Sequence, residues 1–123
     1  MPDIDPSDLL RAVLDRWKDG IDRHDPGAVG EVFTSDTIFQ GLRPFTVGRQ
    51  GVVDYYASQP VGMTVDYRVL DSRQLGDDAV LGYLAACFTF PDGQVKDLRV
   101  GVVLTRDGES WHIAYYQASV APD

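Results

Sequence analysis

The sequence predicts an α+β domain, with helices in its first half and an antiparallel meander in its second. Three observations carry this. Before Pro60 the apolar residues recur at helical spacing, and from Met63 onward they fall in runs rich in β-branched and aromatic residues. The later runs are joined by short connections with turn residues: Leu75-Gly76-Asp77-Asp78, Pro91-Asp92-Gly93 and Arg106 to Ser110. The last two runs, Leu98 to Thr105 and Trp111 to Ser119, flank an Asp-Gly turn and read as a hairpin.

Asp5-Pro6-Ser7-Asp8 opens the first helix: a capping side chain, then Pro where its missing N–H costs nothing. Leu10, Val13, Leu14, Trp17 and Ile21 form its buried stripe, and it should end near His24. Asp25-Pro26-Gly27 repeats the cap and starts a short helix carrying Val29, Val32 and Phe33 inward, broken at Ser35-Asp36. Thr37 to Gln40 reads as a short strand and Gly41 to Gly48 as a loop. Arg49 to Ser58 forms a third helix with Val52, Val53, Tyr55 and Tyr56 on its buried side, ended by Pro60 and Gly62. Strands follow at Met63–Gln74, Ala79–Phe90, Gln94–Thr105 and Trp111–Val120. In the last, Trp111, Ile113, Tyr115, Gln117 and Ser119 alternate with His112, Ala114, Tyr116 and Ala118, and neither set is plainly solvent-like, so both faces should be covered.

With 123 residues and 44% hydrophobic content, positions 1–123 suit one domain with a real core. A formal net charge of -8 would repel nucleic-acid backbones and anionic membranes, so neither is an expected partner. The single Cys87 excludes an internal disulfide and a cysteine-built zinc site, and fits a reducing cytoplasm, the expected location. The start, Met1 to Pro6, has no apolar core and does not read as a signal peptide, and no apolar run approaches a bilayer span. His24 and His112 lie far apart in sequence, and Gly48-Arg49-Gln50-Gly51 lacks the lysine and spacing of a phosphate cradle. Neither a metal nor a cofactor is expected.

Four motifs add a family likeness. Trp17 to Phe33, Ser35 to Phe39, Gly48 to Tyr56 and Asp107 to Ile113 follow one another in an order that resembles the NTF2-like superfamily, with its SnoaL-like and ketosteroid-isomerase-like members. That resemblance implies a cone: three helices packed on a curved, mostly antiparallel sheet that encloses a pocket. It also allows a residue-by-residue carry-over. The steroid isomerases' tyrosine on the first helix corresponds to Trp17, their proton-shuttling aspartate to Gly41 and their protonated aspartate to Gly101. All three positions are substituted, so that mechanism is not expected.

The resemblance further implies which side chains enter the cone. From the last strand these are Ile113, Tyr115 and Gln117, and from the one before it Asp97, Arg99, Gly101 and Val103. Ala79–Phe90 would add Leu81, Tyr83, Ala85, Cys87 and Thr89, while Trp17, Phe33, Phe39 and Tyr55 or Tyr56 come from the helices and the short strand. A one-residue error in register would invert these strand assignments. Asp97 and Arg99, two apart on one strand face, could act as general base and oxyanion holder, or simply form a rim salt bridge. Tyr55, Tyr83 and Tyr115 could donate hydrogen bonds to a carbonyl or enolate oxygen, or merely pack. Gln117 could orient a polar ligand, and Cys87 has no histidine to activate it.

Two function classes follow. One is a cofactor-free isomerase, cyclase or dehydratase working by proton transfer next to a carbonyl, with Asp97, Arg99 and Tyr115 as its catalytic set. The other is a non-catalytic binding or interaction domain. Either would take a small apolar or aromatic molecule. The remaining strand residues, among them Leu98, Val100, Val102, Leu104, Leu84, Phe88 and Tyr116, would form an apolar outer face and suggest a homodimer built sheet against sheet.

Overall fold

A computed structural model describes residues 5–122. Three helices, α1 (Pro6–Asp22), α2 (Pro26–Glu31) and α3 (Arg49–Ala57), accompany six strands. These are β1 (Phe33–Gln40), β2 (Thr46–Val47), β3 (Thr64–Gly76), β4 (Ala79–Thr89), β5 (Val95–Asp107) and β6 (Ser110–Val120). They form one curved, unclosed sheet in the order β2-β1-β6-β5-β4-β3. The expected meander is present, since β3 to β6 pair antiparallel in sequence order. β1 joins β6 in parallel, which the long excursion through α3 and the strands between them permits.

Both N-terminal helices begin as their sequences require. The Asp5 carboxylate accepts a hydrogen bond from Ser7 N at 2.9 Å, and that of Asp25 from Ala28 N at 3.1 Å. The α1 stripe of Leu10, Val13, Leu14, Trp17 and Ile21 is buried against the sheet. At Gly82 the backbone of β4 comes so near α1 that an added Cβ would lie 2.5 Å from Leu10 Cδ2. Any Cβ there would have to push the Leu10 side chain aside. The second helix ends earlier than its sequence suggests, and Phe33 is the first residue of β1 rather than the last of α2. Ser35-Asp36 falls inside that strand, where the pairing of β1 with β6 slips between Phe33 and Ile38.

The two faces of the sheet are the reverse of the expectation. Leu98, Val100, Val102 and Leu104 of β5 are buried beneath the helices, with Val80, Leu84, Ala86 and Phe88 of β4. Tyr116 of β6 lies among them. They are the core, not an outer patch. Asp97, Arg99, Gly101, Val103, Leu81, Tyr83, Ala85, Cys87, Thr89, Tyr115 and Gln117 therefore occupy the open face, and none is buried. On β4 and β5 the more apolar set faces the helices, and within β6 a β-bulge shifts the register. Val103 pairs with Tyr115 but Leu104 with Ile113, leaving Ala114 as an extra residue. Alternation is interrupted there, so Ile113 and Tyr116, three apart, both point inward.

The edge strand β3 is fastened to α1 by a polar clip around Lys18, and also through the Tyr67 hydroxyl, which donates to Asp15 Oδ1 at 2.5 Å. Lys18 Nζ donates to Asp22 Oδ2 at 2.7 Å, to Val65 O at 2.6 Å and to Asp66 Oδ1 at 3.2 Å, and Val65 N donates to Asp22 Oδ1 at 3.0 Å. The hydrogen bond to Asp22 holds the Lys18 ammonium above the ordinary lysine range. A raised pKa stabilises the fold fully below the unfolded value and is lost as pH climbs through the folded one. Lys18→Met should cost about 1–2 kcal/mol in urea unfolding at neutral pH. Its gap from wild type should narrow as pH rises above 10.5.

Candidate functional site

Aromatic side chains fill most of the space between helices and sheet. Trp17 from α1, Phe33 and Phe39 from β1, Tyr56 from α3 and Tyr116 from β6 are all buried. Phe39 stacks on Tyr116 with ring centroids 4.8 Å apart and meets Tyr55 edge-on at 5.0 Å. Trp17 Nε1 donates to the Tyr56 hydroxyl at 3.1 Å inside this cluster. Burial, before all else, pushes the phenols of Tyr56 and Tyr116 well above the ordinary tyrosine range. They remain neutral hydrogen-bonding groups and cannot serve as bases near neutral pH.

At the wide end of the cone the packing leaves a hollow of about 190 Å³. Its floor and walls are apolar: Met63, Phe88, Leu98, Ala118 and the ring of Tyr116. Its rim is polar, with Arg43, Tyr55, Gln59 and Lys96. Gly41 belongs to the lining because the loop after β1 passes directly over Tyr55, and an added Cβ would lie 2.5 Å from the Tyr55 hydroxyl. Among the described lining residues there is no carboxylate and no histidine.

Tyr55 is thus the one residue of the expected site that faces this hollow. Trp17, Phe33, Phe39, Tyr56 and Ile113 point into the cone as expected but serve as its packed interior. The others converge elsewhere. Asp97, Arg99 and Cys87 line a shallow open-face groove of about 430 Å³, with Asp66, Arg68 and the C-terminal Ala121 and Pro122. Asp97 and Arg99 form no ion pair; Arg99 Nη1 donates instead to Leu98 O at 3.3 Å. Burial first, then Asp97, raises the Cys87 thiol, which disfavours the thiolate a nucleophile needs. The Tyr115 hydroxyl donates to Gln117 Oε1 on that same open face, and Tyr83 is exposed beside a separate hollow with Leu81. Sequence reasoning missed Arg43, Met63, Phe88, Lys96, Leu98, Tyr116 and Ala118. The signal was available: Leu98, Val100, Val102 and Leu104 are a more apolar set than Asp97, Arg99, Gly101 and Val103, and the more apolar face is the buried one.

Among the described residues no group of three or more His, Cys, Asp or Glu side chains is placed to hold a metal ion, and no helix is long and apolar enough to cross a membrane. The model of the SnoaL-like domain family matches residues 10–123. No curated protein sequence matches the chain. Solved structures share its fold at low identity. A domain of unknown function with a cystatin-like fold from Nostoc punctiforme superposes with a TM-score of 0.83 at 15% identity, over 96% of this chain and 78% of that one. A ketosteroid isomerase-like protein from Erwinia carotovora atroseptica gives 0.79 at 23% identity, over 94% and 96%. An NTF2-like protein of unknown function from Pseudomonas putida gives 0.79 at 17%, over 94% and 87%.

The Trp17–Tyr56 bond lies inside the buried aromatic cluster. Tyr56→Phe orphans a buried indole N–H and should destabilise the protein by about 1–3 kcal/mol in chemical denaturation. Wild-type stability in that variant would show that the bond contributes nothing.

Proposed function

The chain belongs to the SnoaL-like domain family, and we propose that its cone binds a small, largely apolar molecule without acting on it by carboxylate-based proton transfer. One observation carries this reading: an apolar hollow of about 190 Å³ with a polar rim, whose described lining offers hydrogen-bond donors but no group that is basic near neutral pH. Arg43 and Lys96 are cations, Gln59 does not titrate, and Tyr116 is held protonated by burial. A general base must reach the proton it removes. Asp97 lies on the other side of the sheet.

The ketosteroid isomerase-like neighbour does not change this assignment. Of the positions that resemblance singles out, Trp17 is packed in the core and Gly41 lines the hollow without a side chain. The third, Gly101, faces outward, and its inward neighbours Val100 and Val102 are no more acidic. The experiment is a titration of labelled protein with benzyl alcohol, followed by amide and methyl NMR. Shifts should cluster at Gly41, Tyr55, Met63, Leu98 and Ala118. Gly41→Ala, which forces the Tyr55 ring aside, should weaken binding by about tenfold, and Asp97→Asn should leave it unchanged. Shifts confined to the Asp97 groove would sink the proposal.

We also infer that a second copy of the chain covers the open face, through residues other than those first expected. Register places Val47, Ile38, Tyr115, Val103 and Leu81 side by side in one row crossing five strands. Val47 is 65% exposed, Ile38 44% and Leu81 39%, an apolar band that association would remove from water at ~25 cal/mol per Å². Farther along, Arg99 and Arg68 flank Ala85 in one row, while Asp97 and Asp66 flank Cys87 in the next. Adjacent rows of opposite charge complement themselves under a two-fold axis. Sedimentation should show a dimer at micromolar concentration that Leu81→Lys converts to monomer. A wild-type monomer under those conditions rejects this face as a self-interface.

A further inference from the structure

The geometry points to a narrower ligand class for the cone: a single-ring or similarly compact apolar monocarboxylate, its ring in the hollow and its carboxylate at the rim between Arg43 and Lys96. This rests on the proposed binding role and adds the charge and size of the occupant.

Size comes first. A cavity of ~150 Å³ lined by aliphatic and aromatic groups holds one benzene. About 190 Å³ therefore accommodates one ring with a short substituent. The inner surface, built from Met63, Phe88, Leu98 and the rings of Tyr55 and Tyr116, offers such a ring apolar and edge-to-face contacts.

Charge comes second. The protein carries a net charge of -8, yet both charged side chains lining this hollow are cations. Arg11, Lys18, Arg23, Arg73 and Arg106 each bridge to a carboxylate. Arg43 and Lys96 bridge to none among the described residues, as do Arg16, Arg49, Arg68 and Arg99, but only Arg43 and Lys96 line this hollow. The Arg43 guanidinium lies 6.0 Å from the Tyr55 ring centroid, with Nη1 donating to Ser58 Oγ at 3.4 Å. The Lys96 ammonium lies 5.4 Å from the Phe90 ring centroid. Each cation is laid across an aromatic wall of the hollow, which keeps its charge at the rim and leaves its remaining donors free. An anion there gains charge-assisted hydrogen bonds. The surrounding negative field penalises polyanions more than a single carboxylate.

The test compares benzoate with its neutral counterpart benzyl alcohol, on the full chain, by NMR titration and calorimetry at neutral pH. Benzoate should bind about tenfold more tightly. Its advantage should fall with added salt and vanish in the Arg43→Gln/Lys96→Gln double variant, in which the two compounds should bind alike. Both positions are exposed, and the salt series on wild-type protein gives the same answer should the double variant misfold. Equal affinities for the two compounds, or a benzoate preference that survives the double variant, overturn this inference and leave the cone-binding role standing. Benzoate shifts centred on Arg68 and Arg99 overturn it too. Binding of neither compound at the cone defeats the binding role itself.

Discussion

A sheet can bury only one of its faces under a single layer of helices, and the choice of face dictates everything else about this molecule. Here α1 lies across β3, β4 and β6 and claims the even-numbered residues of β4 and β5. Burying an aliphatic side chain is worth about 1.5–3 kcal/mol. Leu84, Val100, Val102 and Leu104 together outweigh anything the odd-numbered set could gain by turning inward, since that set would bring Asp97 and Arg99 with it and charge burial is costly. Gly82 completes the arrangement, because it lets α1 descend until Leu10 touches the β4 backbone.

That choice separates two groups of polar residues with different prospects. Those facing the helices are the phenols of Tyr56 and Tyr116, the Trp17 indole and the Thr37 hydroxyl, and burial holds the phenols neutral. Those facing outward are carboxylates, guanidiniums and the thiol, spread across strands where water reaches them. Chemistry that needs a charged base and an apolar cavity in one place is therefore divided between opposite faces of the sheet. Recognition needs only the cavity and its rim, and these are contiguous.

Much of the fold was legible in the chain. Asp5-Pro6 and Asp25-Pro26 announce their helices because capping is a local interaction, and each connection of the meander holds turn residues at its centre, although Leu75, Gly76, Arg106, Asp107 and Ser110 belong to the strands. The helix-facing stripe from Leu10 to Ile21 was readable because its period is set by backbone geometry alone. The site was not legible to the same degree. Which face of a strand is buried depends on one residue of register, and the resemblance used to set it did not register the bulge at Ala114. Tyr55 was found, and Trp17 and Phe39 were placed inside the cone, because aromatic residues on helices and a short strand have one place to go. Arg43 and Lys96 were missed because each lies in or beside a turn, where no periodicity points to a neighbour distant in sequence.

The bulge also has a bearing on how such chains diverge. Removing the residue at Ala114 would rotate whichever end of β6 is not anchored by its neighbours, exchanging Tyr116 for a flanking side chain in the wall of the hollow. Among descendants of one ancestral hairpin, a one-codon deletion at this point could thus exchange what guards the cavity for what meets the outside, with every strand and helix still in place.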